Sequence, residues 1–230
     1  MPGRLRCREG GAVRQQRERT GLTTCDISDA CDDLGVSAAR MGSLGPIWSG
    51  CPPLSGTVST VSLLAGRAGG SPLPELVEAL RSATEPLVLV DLGGRLDVQC
   101  WGSVLATVAS SFGLAGAIVN GAVRDVEGLA EMGFPTYARG VVPVRTQDRV
   151  RFVRAGAAAD IDGVAVRPGW LAVADLNGAV FVPPEAAGAV VDRARAAAAE
   201  ERRVLAAVRA GSDPAVQLGY RRGSATGARG

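Results

Sequence analysis

Histidine and lysine are both missing from this 230-residue chain, so all 25 of its basic residues are arginine. Without lysine there is no Schiff base to a carbonyl substrate or to pyridoxal phosphate, and no Walker lysine for a nucleotide phosphate. Without histidine there is no Ser-His-Asp or Cys-His arrangement and no imidazole metal ligand. Chemistry is left to carboxylates, arginine, hydroxyls, thiols, backbone amides or a bound metal. Aromatic residues make up only 4% while glycines number 31, which predicts a core of Ala, Val and Leu with many tight turns. Charge of one sign is also scarce. The 25 Arg against 23 Asp and Glu leave a formal net charge of +2, which argues against a nucleic-acid surface. No apolar run approaches the roughly 18 residues of a membrane span, and no signal-peptide core follows the start. These absences predict a cytoplasmic protein without a membrane partner. The five cysteines (Cys7, Cys25, Cys31, Cys51 and Cys100) are odd in number, irregularly spaced and without a C-x-x-C pair. Reduced thiols fit this better than disulfides or a zinc site.

Residues 1–20 carry six Arg, few apolar residues and no periodicity. They read as a disordered basic arm or as an overlong start. Residues 21–210 read as one domain, and 211–230, rich in Gly, Ser and Arg, as a flexible tail. Thr24 is placed to cap a helix over Cys25–Leu34 that stops at Gly35. Residues 41–56 read as loop and Thr57–Leu64 as a strand. Ser71-Pro72 opens a helix to Arg81.

Leu87–Asp91 is a short buried strand followed by a Gly93-Gly94 turn. A helix over Gly102–Phe112, a strand at Ala117–Val119, a tight turn at Asn120-Gly121, a helix at Asp125–Met132 and a strand at Phe134–Ala138 follow. This alternation predicts βαβ units with parallel pairing. Beyond Val141, strands at Arg149–Arg154, Val164–Val166, Leu171–Ala174 and Val180–Val182 predict an antiparallel meander, with Asp175–Gly178 as a hairpin turn. A long Ala-rich helix begins at Pro183-Pro184 and runs to about Ala210. The fold class is therefore α/β, in one domain closed by a long C-terminal helix.

Two loops in the βαβ half would lie at the carboxyl ends of strands, where ligands of parallel sheets bind. One is Trp101-Gly102-Ser103-Val104-Leu105, the other Asn120-Gly121-Ala122-Val123-Arg124-Asp125. Free amides at a helix start attract an anion such as a carboxylate, and Arg124 can grip one through two parallel hydrogen bonds. Asp125 can hold a hard divalent cation, which needs only one or two carboxylates beside waters. Taken singly, each feature has a plainer explanation: an ion pair at a helix N-terminus for Arg124-Asp125, turn punctuation for Gly102, an N-cap for Ser103. Cys100 and Trp48, Trp101 and Trp170 read as packing residues.

The combination is more specific. The stretch from Asp91 to Gly140, DLGGRLDVQCWGSVLATVASSFGLAGAIVNGAVRDVEGLAEMGFPTYARG, resembles the RraA-like family, which includes 4-hydroxy-4-methyl-2-oxoglutarate aldolases that also decarboxylate oxaloacetate. TTCDISDACDDLG near the start and RPGWLAVADLNGAVFVP later extend the resemblance from about Thr23 to Val208. It implies a three-layer β/β/α fold assembled as trimers or dimers of trimers. It implies that amides of Gly102, Ser103, Val104 and Leu105 meet a pyruvate-like carboxylate, and that Arg124 stabilises charge on the 2-oxo acid. It also implies that Asp125 ligates Mg²⁺ or Mn²⁺, with Glu200 or Glu201 of a neighbouring subunit supporting the metal waters. A metal-dependent lyase of this type uses neither lysine nor histidine.

One position departs from the pattern. Active members usually carry Asp or Glu directly after the Gly of the WG loop, and here that residue is Ser103, which holds no charge but keeps a hydrogen-bonding hydroxyl. The resemblance thus leaves open an aldolase or decarboxylase, a same-fold enzyme recruited to another keto-acid reaction, and a non-catalytic ribonuclease-binding regulator like the family's namesake. The namesake lacks the Asp of the Arg-Asp pair, which this chain retains.

Overall fold

A computed structural model describes residues 21–67 and 69–218. The expected basic arm and most of the expected tail lie outside these residues; of the tail, 211–218 are described and carry a short helix, α6 (Pro214–Gln217), capped by Asp213. The first helix, α1 (Thr24–Leu34), is capped one residue earlier than expected. Thr23 Oγ1 accepts from the Asp26 amide, and the Asp26 carboxylate accepts from the Thr23 amide, closing a capping box. Thr24 is thereby free for another task described below.

A strand of twelve residues, β3 (Leu54–Ala65), organises the sheets. Its first four residues pair antiparallel with β11 (Leu171–Asp175), and residues 58–62 pair parallel with β4 (Leu87–Asp91). Its end pairs antiparallel with β8 (Val150–Ala155). Beyond β4 lie β6 (Gly116–Val123), β7 (Thr136–Val141) and β2 (Gly45–Pro46). Beyond β11 lie β12 (Gly178–Val182) and β1 (Ala39–Met41). The β4–β6–β7 run is parallel, as the alternation predicted.

Three apolar clusters show the layers. One joins Val88, Val90, Val119 and Val123 to α2 (Leu73–Arg81), α3 (Ser103–Ser111) and α4 (Val126–Met132) through Leu76, Leu80, Leu105, Ala106 and Leu129. The opposite faces of β4 and β6, with Leu87, Leu89 and Ile118, pack on Ala172, Ala174 and Phe181 of the second sheet segment. The other face of that segment (Val173, Val180, Val182) is covered by Ile27 and Cys31 of α1 and by Val190 and Ala194 of α5 (Pro184–Arg209). The expected α/β/β stack is present, and α1 with α5 adds a helical layer outside it.

Three local expectations change. Asn120-Gly121 is no turn. Both lie inside β6, whose eight residues are all buried. Gly121 is needed for closeness, since a Cβ there would sit 3.1 Å from Leu92 Cβ and 3.4 Å from Cys100 Sγ. Asn120 is held inside by donating to Asp91 Oδ1 at 2.8 Å and accepting from Arg139 Nε at 2.5 Å. Segment 41–56, expected as loop, contributes the end of β1, all of β2 and the start of β3. The later strands are antiparallel but do not form a sequential meander. β8 returns to β3, β9 (Ala159–Ile161) and β10 (Val164–Val166) pair with each other, and only β11–β12 is a hairpin within the large sheet. An unpaired edge of β3 is a stronger demand than adjacency in sequence.

The β11–β12 turn is tied to α1. The Thr24 amide and hydroxyl donate to the two Asp175 oxygens at 2.8 and 2.7 Å, and Asn177 donates from its amide and side chain at 2.8 and 3.2 Å. Partial burial would raise the Asp175 carboxyl, but these four hydrogen bonds outweigh it and hold it below the usual carboxylate range. A carboxyl depressed in the folded state adds stability above its unfolded pKa of about 3.9 and loses it as pH falls through the folded value. Asp175→Asn is therefore expected to cost about 1–2 kcal/mol at neutral pH, with the difference from wild type shrinking below about pH 4. Urea unfolding of both proteins at the two pH values checks this.

Candidate active site at the ends of strands β5 and β6

The short strand β5 (Gln99–Trp101) pairs with the last residues of β6, Gln99 opposite Ala122 and Trp101 opposite Val123. The Arg124 amide extends this pairing by donating to the Trp101 carbonyl at 3.0 Å. The register brings Gly102 against Arg124 and Asp125. A Cβ on Gly102 would lie 2.9 Å from Asp125 Oδ2 and 3.2 Å from Arg124 Cγ, so only glycine fits without displacing one of them.

Helix α3 starts directly after Gly102. Its first helical hydrogen bond runs from the Ala106 amide to the Gly102 carbonyl. The amides of Ser103, Val104 and Leu105 have no helical carbonyl to meet, and they carry the positive end of the helix dipole. Asp125 stands before α4 in left-handed backbone geometry, φ 57 and ψ 45, and makes no side-chain cap on that helix. It is one of three non-glycine residues with positive φ among those described, a conformation with a real energetic cost that clusters at functional positions. Instead of capping, its carboxylate turns to Ser103, whose Oγ donates to Oδ2 at 3.1 Å, and to Arg124, whose Nε lies 3.4 Å from Oδ2. Both side chains of this ion pair are more than a third exposed. Solvent screening makes such a pair weak, so either group can exchange it for a ligand.

These residues open on a cleft of about 370 Å³, within the range of small-molecule sites. Gly102, Val104, Leu105, Arg124 and Asp125 all line it, together with the apolar Leu73 and Leu76 and the polar Gln99, Arg145, Thr146 and Gln147. Ser103 does not line the cleft. It reaches the site only through Asp125 and packs against Gly128, where a Cβ would come within 3.1 Å of Ser103 Cβ. Glu200 and Glu201 are not brought to this cleft within the chain. They sit on exposed turns of α5, across both sheet segments, and Glu200 is paired with Arg203 at 2.5 and 2.9 Å. Gln99 and Arg145–Gln147 were missed by sequence reasoning. They carry no motif, and they reach the cleft only because the Gln99 amide donates to the Val144 carbonyl at 3.0 Å.

Among the described residues no group of three or more Cys, Asp or Glu side chains converges. One half-exposed carboxylate, Asp125, fits a hard divalent cation that keeps most of its water, and does not fit a cage built wholly from protein. Cys100, fully buried beneath the loop, has its thiol pushed far up by burial and then by the Asp91 charge, so it is no nucleophile. The Trp101 indole N–H beside it is buried without a hydrogen-bond partner.

Fold and cleft together define an α/β protein with a helix start, an arginine and an acid at adjoining strand ends. The sequence profile of the RraA-like family, described as Aldolase/RraA, matches residues 24–181. The chain belongs to this family. Among its relatives is a protein of Albidiferax ferrireducens, provisionally named 4-hydroxy-4-methyl-2-oxoglutarate aldolase, 32% identical over 166 residues covering 70% of this chain and 94% of that one. The protein DlpA of Legionella pneumophila is 27% identical over 82% of this chain, which spans only 31% of DlpA. Among solved structures, an uncharacterised protein from Pseudomonas syringae pv. tomato superposes with a TM-score of 0.74 at 27% identity, over 90% of this chain and 96% of that one. Streptomyces coelicolor RraAS2, described as an unusual member of the ribonuclease ES inhibitor RraA family, shares the fold with a TM-score of 0.70 at 24% identity, over 84% and 95%.

Gly102→Ala is expected to destabilise by only about 1 kcal/mol, because the crowded neighbours are flexible side chains at a cleft. The Asp125 carboxylate should be pushed away from Ser103 Oγ. A crystal structure with denaturant titration checks both parts. An unchanged Ser103–Asp125 distance would show that the close approach constrains nothing.

Proposed function

We propose that this protein is a divalent-metal-dependent carbon–carbon lyase acting on 2-oxo acids, by retro-aldol cleavage of 4-hydroxy-4-methyl-2-oxoglutarate, decarboxylation of oxaloacetate, or both. The observation that carries the reading is the convergence of the α3 amides, Arg124 and a strained, uncapped Asp125 on one cleft. The names of relatives such as the Albidiferax protein support the same reaction class.

In this reading the amides of Val104 and Leu105, which line the cleft, take the substrate carboxylate at the helix start. Arg124 directs fixed positive charge at the C2 oxygen, where negative charge grows as the C3–C4 bond breaks. The electron pair of that bond passes into the enolate of pyruvate, and a proton is later returned to C3. In retro-aldol cleavage the C4 hydroxyl loses its proton and leaves as a carbonyl; in decarboxylation CO₂ leaves instead. Asp125 would hold Mg²⁺ or Mn²⁺, which when bound polarises the 2-oxo group as a Lewis acid. Ser103 fixes the Asp125 carboxylate by its hydrogen bond and brings no second negative charge. This favours a slower enzyme than relatives with an acid there, or one serving another keto acid of the same class.

The test is pyruvate release from both substrates with Mg²⁺ and with chelator. Activity is expected with the metal alone, and Arg124→Ala or Asp125→Ala should each lower kcat/KM by about 100-fold or more. No turnover of either substrate by folded protein overturns the proposal. Ser103→Asp is expected to raise oxaloacetate decarboxylation by about 10-fold or more, measured under the same conditions.

A further inference from the structure

Arg145 lines the same cleft as Arg124, on a different segment of the chain together with Thr146 and Gln147. The residues on either side of it are anchored. The Val144 carbonyl accepts from the Gln99 amide at 3.0 Å, and the Thr146 carbonyl accepts from the amides of Arg149 and Val150 at 2.9 Å each. Thr146 Oγ1 also accepts a long hydrogen bond, 3.5 Å, from Gln99 Nε2. Asp148 closes the loop. Held at φ 62, it donates from its amide to the Gly70 carbonyl at 2.8 Å and accepts from the Gly70 amide at 2.9 Å. The segment that carries Arg145 is thus pinned to β5 and to Gly70.

The guanidinium on this fixed loop makes no hydrogen bond or ion pair with any described residue. Arg124 in the same cleft has Asp125, and Arg139 elsewhere donates to Asn120, Ser43 and Asp162. The lining holds two Arg against one Asp, a surplus of one positive charge before any cation binds. A substrate with a single carboxylate at the α3 amides leaves Arg145 facing the cleft unanswered. One with a second carboxylate at its far end meets it, and a planar guanidinium grips a carboxylate with two parallel hydrogen bonds.

We infer that Arg145 is a specificity-determining residue that binds the distal carboxylate of the substrate, selecting 2-oxo diacids over 2-oxo monoacids. This rests on the lyase reading above for the near end of the substrate. It adds a residue of the cleft that reading does not use.

The test compares two ligands of matched length, 2-oxoglutarate and 2-oxovalerate, which differ in the distal carboxylate. Their binding is titrated calorimetrically in the presence of Mg²⁺ against wild type, Arg145→Gln and Arg145→Lys. Wild type is expected to bind 2-oxoglutarate more tightly than 2-oxovalerate. Arg145→Gln should weaken 2-oxoglutarate by about 10- to 100-fold, the range for hydrogen bonds to a charged group, and change 2-oxovalerate by less than about twofold. Arg145→Lys should fall between, because it keeps the charge and loses the fork. If 2-oxovalerate binds and 2-oxoglutarate is no tighter, or if Arg145→Gln weakens both alike, the role of Arg145 is refuted while the lyase reading stands. Binding of neither ligand to wild type refutes both.

Discussion

Strand β6 is buried along all eight residues, so its backbone must find hydrogen bonds on both edges. On one edge β7 supplies them along Ala117–Val119 and again at Ala122 and Val123, with an irregularity between. On the other edge β4 supplies them only as far as Asn120. The chain then leaves through Gly93 and Gly94, both at positive φ, and comes back as β5 to pair with Ala122 and Val123. That handover from β4 to β5 creates the cleft. It sets the Trp101 carbonyl against the Arg124 amide, Gly102 against Arg124 and Asp125, and the start of α3 above them.

The acids and arginines of the chain divide by the work they do in this frame. Asp91 and Asn120 hold the parallel strand ends, with Asp91 accepting from the Gly93 amide as well as from Asn120. Arg139 ties β7 to the β1–β2 loop through Ser43 and to the β9–β10 turn through Asp162. On α1, Asp32 and Asp33 answer Arg40 and Arg193 at the surface. Arg124 and Asp125 differ from these in being half exposed to a cleft and paired only with each other and Ser103. An Arg-Asp dipeptide at a helix start is an ordinary surface pair by composition; its turned, non-capping Asp is what sets this one apart. Among the described residues no helix is long and apolar enough to cross a membrane.

Much of the fold was legible because local signals and burial agree. Leu87–Asp91 has the expected limits, and the Asp175–Gly178 hairpin is where turn chemistry puts it. The exceptions share one cause. Asn120-Gly121 has the composition of a turn, yet Gly121 serves closeness to Leu92 and Cys100, and Asn120 is satisfied by side chains from two other strands. Segment 41–56 looks like loop because β1 and β2 are too short to show a period. β8 could not be placed because its partner, β3, lies some ninety residues earlier in the chain.

The linear chain by itself determined the chemistry open to the protein. Without lysine or histidine, charge on a substrate can be met only by arginine, backbone amides or a cation held by carboxylate. The chain also placed those groups in two short stretches, 101–105 and 120–125, because each follows a strand and opens a helix. Tertiary structure alone decided that the two stretches adjoin, that Ser103 touches Asp125 rather than the cleft, and that Arg145 lines the same cleft as Arg124. These relations join residues some twenty positions apart. They follow from which edges and faces of the sheet must be covered, a constraint on the whole folded chain that no local spacing records.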